Sequence, residues 1–363
     1  MTTETLIEAR RIRFRALQTL LRYIERAFLT RHPSVAQRVA LALTRLARPG
    51  VLRTRETLRR HLNDRVRVSI RAYGDHDPDQ YRRLRMGDTW VKQGLVVALG
   101  QAGFIVTDCD PDVAIHLHGE ETHLPDRAIK VLWVHSHPEK ITSSGLARYD
   151  HVFCASQTMA ARARALGSPA TALELATSLQ PRSTSIKHEV VFVGNARPGG
   201  SRAVIDQMGT PDFGLKIWGG GYVSLPQGSW MGDYLEYADL PELYASSVIS
   251  LNDHLPSMAE SGIVTPRIYD ILASGGFCIS DANPGINEVF GDAVPQYRTS
   301  AELRSLIKHF LAHPDERLKL MAAGQKIALE STWPDRARAL MAPITDGPEY
   351  ESFAGSQSRR RAP

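Results

Sequence analysis

Two rounds of alternation between short apolar runs and helical stretches, separated by one polar segment, constrain this chain more than any other feature. The first round holds VRVSIRA (66–72), FIVTD (104–108), DVAIHLHG (112–119), KVLWVHSH (130–137) and HVFCAS (151–156), with TALELA (171–176) as a further candidate strand and WVKQGLVVALGQAG as a helix. After PRSTSIKHE the pattern restarts with EVVFVGN (189–195), LKIWGGG (215–221), SVISLND (247–253) and GFCISD (276–281). Near-continuous apolar runs of this length suit strands of a parallel sheet covered on both faces. The fold class expected is therefore α/β, with two Rossmann-like halves, and ligands binding beyond the carboxyl ends of the strands. A length of 363 residues with 43% hydrophobic and 23% charged content fits two such domains. Residues 65–185 form the first, 186–345 the second, and 346–363, ending GSQSRRRAP, read as a disordered tail.

Residues 1–64 precede the alternation and differ in charge. Residues 1–60 carry 14 Lys/Arg against 4 Asp/Glu, which leaves 61–363 with a net charge of −5 out of the overall +5. Leu6, Leu17, Leu20, Leu21, Ile24 and Phe28 recur at helical spacing beside Arg11, Arg15, Arg22 and Arg26, as in a basic amphipathic helix. Such a helix either lies on an anionic membrane surface or packs on the protein itself with a solvated arginine face. Arginines interrupt every apolar run there, so neither a signal peptide nor a membrane span fits, and a cytoplasmic protein, peripheral at most to the inner membrane face, is expected. Nucleic acid is not expected as a partner, since no aromatic interleaving accompanies the arginines. Cys109, Cys154 and Cys278 stand far apart without metal-ligand spacing and read as reduced core thiols.

The most informative stretch is SVISLNDHLPSMAESGIVTPRIYDILASGGFCISDANPGINEVFGD, residues 247–292. Thr265 is a candidate N-cap, Pro266 suits the first helical position, and Gly275 and Gly276 suit the helix end. A helix start presents free N–H groups and partial positive charge, to which Arg267 adds a full one, a combination suited to a diphosphate. Asp270, one turn on, could accept two ribose hydroxyls, although an Arg/Asp pair at i, i+3 is also ordinary on a helix surface.

In order and spacing, Asn252-Asp253-His254, then Arg267, Tyr269, Asp270 and Gly275, then Ser280-Asp281, then Gly285 and Glu288, the segment resembles the donor domain of GT-B glycosyltransferases. The CgeB-like branch related to group 1 transferases is the nearest in pattern, over residues 65–340. The resemblance implies a nucleotide-diphosphate sugar donor, with Arg267 on the diphosphate and Asp270 on the ribose. It further implies donor contacts from Gly194, Asn195, Trp218, Gly219, Asn252, His254 and Glu288, and an acceptor that is a glycan, lipid-linked or protein hydroxyl in cell-surface or secreted glycan synthesis. No metal and no cofactor is expected. The acidic run DCDPD (108–112) precedes a strand and reads as a turn.

Catalytic candidates are His137, His118 and Glu260. A histidine at a strand end titrates near working pH and can serve as base toward an acceptor hydroxyl; Pro138 is expected to end the strand there and expose His137. Many retaining relatives of the resembled family carry a second carboxylate eight residues before the ribose one. Here that position is Gly262, and Glu260 is the nearest acid. Two other readings stand beside transfer: a nucleotide-sugar epimerase, which would share the two-domain fold, and a non-catalytic nucleotide-sugar-binding scaffold, suggested by the missing carboxylate and the basic extension. A Rossmann oxidoreductase and a nucleophilic hydrolase lack their G-x-G-x-x-G and G-x-S-x-G motifs.

Overall fold

The structure, a computed structural model, describes residues 66–72, 88–117, 124–125 and 128–345. The basic extension 1–64, the tail 346–363 and His118 lie outside these residues. The chain divides into two compact units: of the described residues, 66–72, 88–92, Leu99–Ala172 and 340–345 fall in the first and Gln93–Ala98 and Leu173–Ala339 in the second, so the helices Asp88–Gln101 and Trp333–Thr345 are each divided between the two and are grouped with the sheet they adjoin in sequence.

The first unit is built on a six-stranded, fully parallel sheet. Its elements run β1 (Arg67–Arg71), α1 (Asp88–Gln101), β2 (Ile105–Val106), β3 (Val113–Leu117), β4 (Ile129–Val134), α2 (Ser143–Leu146), β5 (His151–Cys154), α3 (Gln157–Ala165) and β6 (Ala170–Ala172), with strand order β2-β1-β3-β4-β5-β6. All five residues of β3 are buried, as a central parallel strand requires. Ser156 caps α3 by accepting the Met159 N–H.

In the second unit a second parallel sheet takes the order β12-β11-β10-β7-β8-β9. Its elements are β7 (His188–Val193), α4 (Ala203–Met208), β8 (Leu215–Trp218), β9 (Trp230–Gly232), α5 (Leu240–Ala245), β10 (Ser247–Asn252), α6 (Pro256–Glu260), α7 (Pro266–Ala273), β11 (Cys278–Asp281), α8 (Pro284–Phe290), β12 (Gln296–Tyr297), α9 (Ser300–Ala312), α10 (Pro314–Glu330) and α11 (Trp333–Thr345). Its core gathers Val190, Phe192, Ile217, Ile249, Leu251 and Ile279 from the strands against Val204, Leu303, Ile307 and Phe310 from helices. Pro266 does occupy the first turn of α7, and Gly275 follows the helix end at φ 89°, so the chain enters β11 at Cys278, three residues later. A capping box at Thr299 and Glu302 starts α9.

Several expectations change. The two-residue strand β12 and the three-residue β9 at the sheet edges were not anticipated, because runs that short carry no periodicity. Strand β4 ends at Val134, so His137 lies three residues beyond it rather than at its end. His137 instead takes a left-handed conformation (φ 48°, ψ 49°) and opens a single 3-10 turn at Pro138–Lys140. Cys154 and Cys278 are buried thiols, but Cys109 is exposed in the bend formed by the acidic run, where no core reaches it. Among the described residues no helix is long and apolar enough to cross a membrane.

The loop before α7 packs onto the start of α8 at glycine. A Cβ on Gly285 would stand 1.9 Å from the Gly262 carbonyl oxygen, while Asn283 caps α8 through Oδ1 and donates its amide to the Ile263 carbonyl. We expect Gly285→Ala to destabilise the fold by about 3 kcal/mol, the upper part of the overpacking range, read as a lowered midpoint in chemical denaturation. A midpoint equal to the wild type would mean that the two loops do not meet this closely.

Candidate functional site

The motif residues of the second unit meet at the carboxyl ends of β7, β10 and β11. Asn252, the last residue of β10, is fully buried, so every polar atom of its amide needs a partner. Its Oδ1 accepts from Arg267 Nη1 at 2.9 Å and from the Thr265 hydroxyl at 3.0 Å, and its Nδ2 donates to Ser280 Oγ at 2.9 Å. Ser280 in turn donates to Asp281 Oδ1 at 3.0 Å. Asp281 also accepts from His254 Nδ1 at 2.6 Å and from the His254 backbone N–H at 2.9 Å. Burial opposes ionisation of Asp281, yet these bonds from His254 and Ser280 together hold its carboxyl below the usual range. The His254 Nε2 accepts the Thr265 N–H at 3.3 Å, which closes the ring of contacts. Thr265 is the N-cap of α7 by position, but its hydroxyl is spent on Asn252 and caps no helix N–H.

Asp253, next along, is also buried, and it organises cations rather than ligands. Its Oδ1 pairs with Arg202 Nη1 at 2.8 Å and Arg197 Nη2 at 3.4 Å. Arg202 and Arg267 both lie over the Phe192 ring, 5.6 and 5.3 Å from its centroid. Burial, then the nearby charge of Arg267 and of Arg197, bring the Arg202 guanidinium down to about 10 against the opposing pull of Asp253. Two guanidinium groups thus pair with one internal carboxylate, and a third, that of Arg267, adds its charge nearby. The excess positive charge is what an anion with two or more negative oxygens neutralises.

Gly194 gives those cations room. A Cβ there would stand 2.9 Å from Arg267 Nη2 and 3.2 Å from Arg202 Nη2. Its N–H donates to the Trp218 carbonyl and its carbonyl accepts from the Tyr222 hydroxyl at 2.6 Å. Gly219, at φ 148°, is the second close approach, with a Cβ placed 2.1 Å from the Gly194 oxygen. Asn195 is exposed and ties the two loops, its Oδ1 accepting from the Gly220 N–H and its carbonyl from Arg202 Nε. Trp218 is half-buried, and its ring meets His188 edge-on with centroids 5.7 Å apart.

Asp270 stands further into the protein. It is 7% exposed, and its Oδ1 accepts from Thr177 Oγ1 at 2.5 Å and from the Tyr237 hydroxyl at 3.2 Å. Burial pushes its carboxyl up to about 6, although both hydroxyls and Arg267 pull the other way. Glu260, at the end of α6, and Glu288, in α8, are exposed. Gly262, which takes the place of the missing carboxylate, is left-handed at φ 69°.

The first unit contributes its own candidates. His137 is partly exposed and its Nδ1 meets Glu139 Oε1 at 2.9 Å. His116 is buried, with Nδ1 on the Tyr149 hydroxyl at 2.5 Å. Arg197 and Arg202 were not singled out in sequence, and Asp253, His254 and Asp281 were read as motif residues without their pairing. The arginines at both ends of the NARPGGSR loop, directly after a strand, were the available signal.

Residues 197–342 match a family model described as glycosyl transferase-like. A comparison with curated proteins finds no match. Among solved structures, T4 phage β-glucosyltransferase in complex with UDP and Mn2+ is 12% identical with a TM-score of 0.53, over 76% of this chain and 99% of that one. Anabaena HepE in complex with UDP-glucose is 11% identical with a TM-score of 0.53, over 77% and 99%. The sucrose-phosphate synthase of Thermosynechococcus elongatus is 14% identical with a TM-score of 0.54, over 80% and 100%. With two parallel six-stranded sheets, the fold is that of the GT-B class.

The pKa of Asp270 carries a prediction whose sign is opposite to the usual carboxylate case. Because the folded value lies above the ordinary one near 4, the protonated form favours folding, and that stability is lost as pH rises through about 6. Relative to Asp270→Asn, whose Oδ1 still accepts both hydroxyls, the wild type loses up to about 3 kcal/mol between pH 4 and 7.5. Denaturation midpoints of the two proteins across that range check this, and parallel curves would show an Asp270 that titrates as if exposed.

Proposed function

We propose that this chain is a glycosyltransferase that takes a sugar from a nucleotide-diphosphate donor, with the donor held by the second unit. The observation that carries the proposal is the convergence of Arg267 and Arg202 beside Gly194, beyond the carboxyl ends of β7 and β10, with Arg197 joined to Arg202 through Asp253. Breaking the bond between the anomeric carbon and the β-phosphate oxygen leaves negative charge on the diphosphate, and fixed guanidinium groups stabilise that charge. Side chains supply the positive charge in this reading, so the reaction proposed needs no resident metal. The match of residues 197–342 to the glycosyl transferase-like model spans Arg197, Arg202 and Arg267 and supports the same assignment.

On the acceptor side we propose His137 as the base, with Glu139 on Nδ1 favouring the tautomer whose other nitrogen accepts a proton. The T4 and Anabaena complexes hold UDP or UDP-glucose, which makes UDP the first nucleotide to test.

The test is a thermal-shift panel of UDP, GDP, dTDP and ADP in EDTA, on wild type and Arg267→Ala. One nucleotide raises the midpoint of the wild type, and Arg267→Ala weakens that binding by about 2 kcal/mol, the cost of losing a charged hydrogen-bond donor. Stabilisation by none of them, in a protein that melts cooperatively, rejects the donor site.

A further inference from the structure

His254 follows β10 and was expected to touch the donor. Its side chain is fully buried, and both ring nitrogens are engaged inside the unit. The Thr265 N–H can only donate, so Nε2 accepts it and the ring proton sits on Nδ1, where it is given to Asp281. The start of α7 is therefore held from outside. The Thr265 side chain caps nothing within the helix; its hydroxyl goes to Asn252 and its N–H to His254. The segment leading into it contains the left-handed Gly262, which fixes no geometry by its own side chain.

We propose that His254 is a positioning residue, a neutral Nδ1–H strut that transmits the position of Asp281 on β11 to Thr265, and so sets where the first turn of α7 and Arg267 stand. Its functional consequence rests on the donor reading given above. The chemistry required of residue 254 is specific: an acceptor at the Nε2 position and a donor toward Asp281. Glutamine can place Oε1 near the Nε2 position and present an N–H; alanine supplies neither. Because the strut acts on the phosphate-binding end of α7, its loss should weaken ligands that carry a diphosphate and spare those that do not.

The experiment uses the full chain as wild type, His254→Ala and His254→Gln. Calorimetric affinities are measured for UDP and for uridine, or for the diphosphate and nucleoside pair of whichever base the wild type selects, with exchange of the Thr265, Arg267 and Ile268 amides measured without nucleotide. We expect H254A to bind the diphosphate about tenfold more weakly, one lost hydrogen bond's worth, with nucleoside affinity unchanged. Exchange at Thr265, Arg267 and Ile268 should quicken in H254A, and H254Q should restore both readings toward wild type. Where H254A does not fold, H254N, polar but too short to reach Thr265, takes its place with the same expectations. Equal loss of diphosphate and nucleoside, or no loss of either, overturns the proposal. If the wild type binds no nucleoside diphosphate, the donor reading falls, and the strut is judged on exchange alone, where unchanged rates in H254A overturn it.

Discussion

The amide of Asn252 is the interaction on which the second unit's site depends. A buried carboxamide has two donors and two acceptor lone pairs to satisfy, and at this position each end has one direction to face. Oδ1 faces the helix start, where it meets Arg267 and Thr265, and Nδ2 faces β11, where it meets Ser280. The result links two neighbouring parallel strands to the helix that connects them, with Asp281 and His254 completing the circuit. In a buried network a partly satisfied member costs more than an apolar residue, so the arrangement is held as a whole.

Electrostatics then follow from geometry. Asp253 is buried among guanidinium groups, with Oδ1 paired to Arg197 and Arg202 and Oδ2 buried without a hydrogen-bond partner. One carboxylate holds the two cations in place without neutralising the cluster, since Arg267, like Arg202, also lies over the Phe192 ring. That residual charge, next to a backbone cleared of side chains at Gly194 and Gly219, is the physical content of the transferase proposal.

Much of this was legible in the sequence, and the parts that were not have a common cause. The long apolar strands, the proline at the start of α7 and the glycine at its end declare themselves through local chemistry. Arg267 was legible because a helix start and a cation coincide within three residues. Long-range partners were not. Asp270 meets Thr177 and Tyr237, which lie 93 and 33 residues away, and nothing local distinguishes a ribose-facing carboxylate from one spent on two internal hydroxyls. His254 likewise looked like a ligand-facing residue until Asp281, 27 residues on, was seen to claim its ring. Thr265 shows the same effect at short range, since tertiary demand from Asn252 overrides its capping propensity.

The most direct measurement is a crystal structure of the chain soaked with UDP in the absence of divalent metal. The account predicts the diphosphate over Gly194, with oxygens within hydrogen-bonding distance of the Arg267 and Arg202 guanidinium groups and the Asn252 network intact beneath them. A well-ordered nucleotide bound with its phosphates away from these arginines would contradict it.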